Sequence, residues 1–225
     1  MFKRTFTLVE ILITLTILGI VAALTLPPLV SSYKKKVYAT SLKKVYNQIV
    51  TSAQAVINDE NGNETIFDEN GDKLDITPGF YTTTAGMSDS TDITGARYFL
   101  KNYFKYIDIG TPTPPSSILP QSYTANGQDI GSLNTYFNCI KMPDNAVICM
   151  HSVNGILRVI VDINGKENPN ATGLDVFVMN ITNDGNLEDL SEEDNCNNIG
   201  EGANAIEQYA SGCLNKVINA GWKIE

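Results

Sequence analysis

The sequence predicts an α+β fold: a long N-terminal α-helix, a small antiparallel β-sheet later in the chain, and a C-terminal region stabilised by disulfides. Three observations predict it. An apolar run from Phe6 to Val30 leads into an apolar stripe at helical spacing, β-branched runs separated by turn residues follow past residue 145, and four cysteines fall in two local groups. With 225 residues, 43% of them hydrophobic, the chain can bury a sound core. Its net charge of -9 argues against a nucleic-acid backbone as the main partner, because phosphate binding needs Lys and Arg clustered on a basic face.

The N-terminal run is the most informative segment. A helix rises about 1.5 Å per residue, so a hydrocarbon core of roughly 30 Å takes about 20 apolar residues. Phe6 to Val30 is long enough, and only Thr7, Glu10, Thr14, Thr16, Gly19 and Thr25 interrupt it. A core helix of a soluble domain would show a polar face. Threonine hydroxyls bond back to their own helix and so tolerate lipid. Glu10 is harder to place, since a carboxylate costs roughly 3 kcal/mol at mid-bilayer and less near an interface. Two simpler readings compete. One is a secretory signal peptide, with Lys3 and Arg4 as the positive start, Ile11 to Leu18 as the apolar middle and Val21-Ala22-Ala23 as the small-residue cut. The other is a plain signal anchor. Neither gives Glu10 a role.

The stretch "FTLVEILITLTILGIVAALTLPPLV" resembles the N-terminus of type IV prepilins and of the pseudopilins of type II secretion systems. The shared features are Phe6 as first mature residue, Thr7-Leu8, Glu10 five residues in, the apolar helix, and Pro27 where that family's helix commonly bends. The resemblance implies a leader over residues 1–5, removed by a membrane-embedded prepilin peptidase that cuts between Thr5 and Phe6 and methylates the new amine. It implies that Glu10 pairs with the N-terminal amine of a neighbouring copy, which makes the acid a register device. Physically, an unpaired acid in a low-dielectric helix bundle is costly and a cationic partner recovers much of that cost, so one axial offset is favoured over the others. The chain departs from the family at Thr5, where Gly or less often Ala is usual. A β-branched residue there crowds a small subsite and predicts slow or absent processing, and without the cut Glu10 would lack its amine partner.

The resemblance further implies other pilin-like subunits, an inner-membrane assembly platform and membrane lipid as partners, and a single-pass inner-membrane location with the C-terminal domain extracytoplasmic. The positive-inside count alone favours the reverse orientation, because Lys34, Lys35, Lys36, Lys43 and Lys44 follow the helix. The motif and the cysteines outrank that count.

Pro27-Pro28 is expected to end or bend the first helical segment. Over residues 31–57 Tyr38, Leu42, Val45, Ile49, Ala53 and Val56 then recur at spacings of four and three, giving one apolar stripe with the lysines off it. In pilin-like proteins this half of the helix lies across a small antiparallel sheet. The lysines read as a solvated face, with lipid headgroups as a lesser contact.

Residues 58–225 form the expected globular domain. "NDENGNETIFDENGDK", Asn58 to Lys73, reads as turns; its two "DENG" stretches lack EF-hand ligand spacing. Gly95 to Ile107 predicts a short amphipathic helix capping the sheet, with Tyr98, Phe99, Phe104 and Ile107 as its apolar residues, and Thr111 to Pro120 a Pro-rich connector. The runs "AVICMHS", "ILRVIVDI" and "LDVFVMNI", with Asn154-Gly155 and Asp184-Gly185 as turns, predict a three- or four-stranded antiparallel sheet.

Cys139, Cys149, Cys196 and Cys213 contain no CxxC pair, and an even count behind an export-type N-terminus favours disulfides. Three connectivities are open, and the local grouping points to Cys139–Cys149 and Cys196–Cys213. Each such bridge would restrict the unfolded chain by roughly 3 kcal/mol for a loop of about 15 residues. The oxygen-rich stretch Asp162 to Asp175 offers Asp162, Asn164 and Asp175 as hard ligands, and some pseudopilins hold calcium in a loop beside the sheet. No other cofactor is expected. His151 is the only histidine and has no nucleophile motif around it, and P-loop, Rossmann and HExxH patterns are absent. The chain is therefore expected to be a structural subunit of a pseudopilus or type IV pilus and not an enzyme. The alternative is a signal-anchored or secreted extracytoplasmic binding module without a filament role.

Overall fold

The structure is a computed structural model that describes residues 7–58, 96–109, 118–133, 138–153, 156–182, 184–200 and 202–224. Thr5, Phe6, the two "DENG" stretches, Asn154-Gly155 and most of the Pro-rich connector lie outside the described residues.

Helix α1 spans Leu8–Asn58, 51 residues, or about 76 Å at the usual rise. It runs unbroken through Pro27 and Pro28, so of the two expected outcomes, an end or a bend, the prolines do not end it. Their missing amides deprive only the carbonyls of Ala23 and Leu24 of donors, and the apolar, strongly helix-forming residues on either side carry the helix on. Beyond residue 37 the stripe is inside the molecule: Leu42, Val45, Ile49, Ala53 and Val56 are buried and Tyr38 half-buried.

The stripe meets a sheet of six strands. These are β1 (Asp108–Ile109), β4 (Asn138–Lys141), β5 (Val147–Val153), β6 (Ile156–Asp162), β7 (Val176–Ile181) and β8 (Leu187–Glu188), in the order β1-β4-β5-β6-β7-β8 and antiparallel throughout. The three apolar runs of the sequence are its centre. The short outer strands enlarge the sheet beyond the three or four expected. A separate hairpin pairs β2 (Tyr123–Ala125) with β3 (Gln128–Gly131).

Both faces of the sheet are covered, and the pleat sorts its residues between them. Ile148, Met150, Leu157, Val159, Val161, Phe177 and Met179 face α1 and helix α2 (Ala96–Tyr103), which supplies Phe99 and Leu100. Val147, Cys149, Ile160, Val176 and Val178 face Tyr123 of the hairpin and Ile206 and Ala210 of helix α3 (Ala205–Ala210). Helix α4 (Cys213–Asn219) adds Leu214 and Val217 to the α1 side. The expected helix over 95–107 is shorter than predicted, and Ile107 is 62% exposed. Its amide donates instead to the Lys141 carbonyl at 2.8 Å, so the chain leaves the helix to pair with β4 as β1.

All four cysteines are bridged in the two local pairs. Cys139 and Cys149 sit directly opposite on β4 and β5, Cα atoms 4.0 Å apart, and Cys196–Cys213 ties the loop before α3 to the start of α4.

Candidate functional site

The candidate site is α1 together with the polar groups that bind its second half to the body. At its start Thr7 and Glu10 form a reciprocal capping box. The Thr7 amide donates to Glu10 Oε2 at 2.8 Å and its hydroxyl to the same oxygen at 2.9 Å, while the Glu10 amide donates to Thr7 Oγ1 at 3.3 Å. The first amides of a helix have no partner inside it, and a T-x-x-E sequence supplies two. Glu10 thus has a local role before any neighbour is considered.

From Leu8 to Val30 every residue is exposed, Leu8 at 77% and Leu24 at 72%. Thr14, Thr16 and Thr25 turn their hydroxyls onto the carbonyls of Ile11, Leu12 and Val21 at 2.8–2.9 Å, so these three hydroxyl donors are satisfied within the helix. Among the described residues α1 is the one helix long and apolar enough to cross a membrane.

The second half is fastened by polar contacts around the stripe. Tyr38 Oη accepts from Asn164 Nδ2 at 3.3 Å, Ser52 Oγ donates to the Tyr103 carbonyl at 3.1 Å, and Lys44 Nζ meets Asp144 at 2.6 Å. Lys43 Nζ lies 5.4 Å from the centre of the Trp222 ring. Gly185 is needed at the β7–β8 turn because its φ is +77°; a Cβ there would also stand 2.9 Å from Ile57 Cδ1, the movable end of that side chain.

The structure brings Asp162, Asn164 and Asp175 into one hub on the loop after β6. Asp162 Oδ2 accepts from the Tyr123 hydroxyl at 3.1 Å and Oδ1 from the Asn164 amide at 3.3 Å. Asp175 Oδ1 accepts from the Ala171 amide at 2.6 Å and Oδ2 from the Asn170 amide at 2.9 Å. Burial, and then the charge of Asp175, hold the Asp162 carboxyl well above the usual range. Burial raises Asp175 to about 6 against its backbone donors. Asn164 Oδ1 is buried without a partner. Calcium takes about six to eight oxygens. Here every carboxylate oxygen already accepts a hydrogen bond, and among the described residues no group of three or more His, Cys, Asp or Glu side chains is placed to hold a metal ion. The set joins the loop to Tyr123 and Tyr38.

The second disulfide leans on the same loop. A Cβ on Gly173 would meet Cys196 Sγ at 2.5 Å and Cys213 Sγ at 3.0 Å, so only glycine fits.

His151 belongs to a polar rung across the other face. It stands opposite Arg158, which stands opposite Asn180, and Glu207 of α3 closes the group. Glu207 Oε1 lies 2.7 Å from His151 Nε2 and accepts from Asn204 Nδ2 at 2.7 Å; Oε2 accepts from Arg158 Nη1 at 2.6 Å and the Ala203 amide at 2.8 Å. Burial pushes this carboxyl up, but the bonds from His151, Ala203 and Arg158 outweigh it and hold it at about 2. Glu207 is saturated, and the rung clamps α3 to the sheet. Sequence reasoning missed it, because the partners lie 49 and 56 residues apart. Asp189, also missed, caps α4 by accepting from the Gly212 and Asn215 amides at 2.7 and 2.8 Å.

No family model, curated protein or solved structure matches the chain.

Proposed function

We propose that this chain is a membrane-anchored subunit of a pilin-type filament, a type II secretion pseudopilus or a type IV pilus, that polymerises through its N-terminal helix. One observation carries the reading. A single continuous helix has the apolar stripe of one half buried in its own body and the other half, apolar on all sides, exposed and meeting no other element among the described residues. An apolar surface of that length needs lipid or other helices around it. Two disulfides in the body suit an oxidising, extracytoplasmic compartment. In this reading the prepilin peptidase releases Phe6, and Glu10 exchanges its capping contacts with Thr7 for the amine of a neighbour as the subunit enters the filament.

A second reading has its own support. The capping box gives Glu10 a use that needs no neighbour, and Thr5 is a poor residue to precede the cut. The chain would then be a signal-anchored or secreted extracytoplasmic binding module. Mass spectrometry of the N-terminus separates the two: N-methylated Phe6 is expected for the filament subunit, whereas a start at Met1 or Leu24 refutes it. The filament role of Glu10 is checked with Glu10→Ala, which should stay membrane-bound and abundant but be missing from sheared filaments.

A further inference from the structure

Charge is divided unequally along this chain. Seven of the 16 Lys and Arg but one of the 25 Asp and Glu lie in residues 1–58; beyond residue 58 the division is nine against 24. Bodies of such strong negative charge repel one another when brought side by side. The densest run of positive charge past the apolar run, Lys34-Lys35-Lys36, is on α1 itself. Lys43 and Lys44 are used within the molecule, on Trp222 and Asp144. Lys34, Lys35 and Lys36 are not: no ion pair joins them to an acid among the described residues, and Lys34 and Lys36 are exposed. They sit about 12 Å or more along the helix axis from Lys44, on a neck whose Tyr33 and Val37 are also uncovered, 68% and 41% exposed. On the body, three consecutive acids, Glu192, Glu193 and Asp194, are exposed, and among the described residues their one ion pair is a loose contact of Asp194 with Lys216 at 3.9 Å.

We infer that the Lys34–Lys36 neck of one copy docks on the Glu192–Asp194 edge of another copy, resting on the filament reading above. Three cations then face three anions across the contact, and the neck offsets the mutual repulsion of the acidic bodies. An anionic lipid surface would also attract the lysines, but it would leave the bodies repelling one another. Exposed charge pairs are individually weak and salt-screened, so the neck selects the partner's position while the apolar half supplies the adhesion.

The test uses the full chain in its native membrane with a photo-crosslinking benzoylphenylalanine in place of Tyr33 or, separately, of Leu15. Both probes should give dimers, the Tyr33 dimer mapping to residues 187–195 of the second copy. Lys34→Glu, Lys35→Glu and Lys36→Glu combined should cut the Tyr33 dimer about tenfold, as expected for three weak pairs, and leave the Leu15 dimer unchanged. Co-expression with a copy carrying Glu192→Lys, Glu193→Lys and Asp194→Lys should restore it. An unchanged Tyr33 dimer after charge reversal overturns the inference alone. So does crosslinking of Tyr33 to phospholipid only, with charge reversal releasing the chain from vesicles containing phosphatidylglycerol. Loss of the Leu15 dimer in the unaltered protein would remove the filament reading itself.

Discussion

The two halves of α1 share a backbone and differ in everything around it. From Leu8 to Val30 the helix is apolar on every side and wholly exposed; from Tyr38 to Ile57 it carries one apolar stripe, and that stripe is buried against the sheet. A helix that is apolar all round belongs in lipid or in a bundle, and a striped one belongs on a surface that matches its stripe. The difference teaches that the second half is part of the body's core, while the first is not needed for the body to fold.

The largest effect that sharpens this contrast comes from within the body. Glu207→Ala should cost about 3–5 kcal/mol in urea unfolding, because it leaves Arg158 buried without its carboxylate, while membrane insertion of α1 is unchanged. The unaltered protein reports the same contact through pH. Glu207 is held at about 2 in the folded state, below its ordinary 4.5, so its contribution is full above about 4.5 and is lost as pH falls toward 2. Asp175 has the opposite sign. Its folded value of about 6 exceeds 3.8, so stability falls as pH rises from about 4 to 6. Thermal melts of the solubilised protein should therefore peak near pH 4, and Asp175→Asn should flatten the alkaline limb.

Next in size is one chemical change made in each half. Ile49→Ala should destabilise the body by about 2–4 kcal/mol, whereas Ile17→Ala should leave its unfolding curve within about 0.5 kcal/mol of the parent. Equal effects would abolish the distinction between the halves. The smallest effect belongs to the exposed end. Thr7→Ala removes the cap and should cost about 1 kcal/mol, read as faster amide exchange confined to the first turn.

Much of the fold was legible where a period or a composition betrays an element. Leu42, Val45, Ile49 and Ala53 announce their face by spacing, and the β-branched runs of β5, β6 and β7 announce strands. The unbroken apolar runs of these strands fit burial on both faces, but nothing in them tells which elements cover the second face. β1 and β8 are two residues each, and α3 and α4 six and seven, too short for any periodicity to register. Of the site, the convergence of Asp162, Asn164 and Asp175 was readable from a loop rich in oxygen. Their hydrogen-bond saturation was not, since it depends on Tyr123 and on backbone amides that only the folded loop presents. The Thr7-x-x-Glu10 cap was plainly written, yet the apolar sequence around it drew attention to the acid as a misfit in lipid and away from its neighbour three residues back.

Both covalent crosslinks lie within residues 139–213, and neither includes α1. Tension applied along the rod would therefore be resisted at the stripe and its few polar fastenings, by contacts that can slip. The cystine loops would remain closed. Under load the molecule would part where helix leaves sheet, shedding its tether while the rest stays knitted to itself.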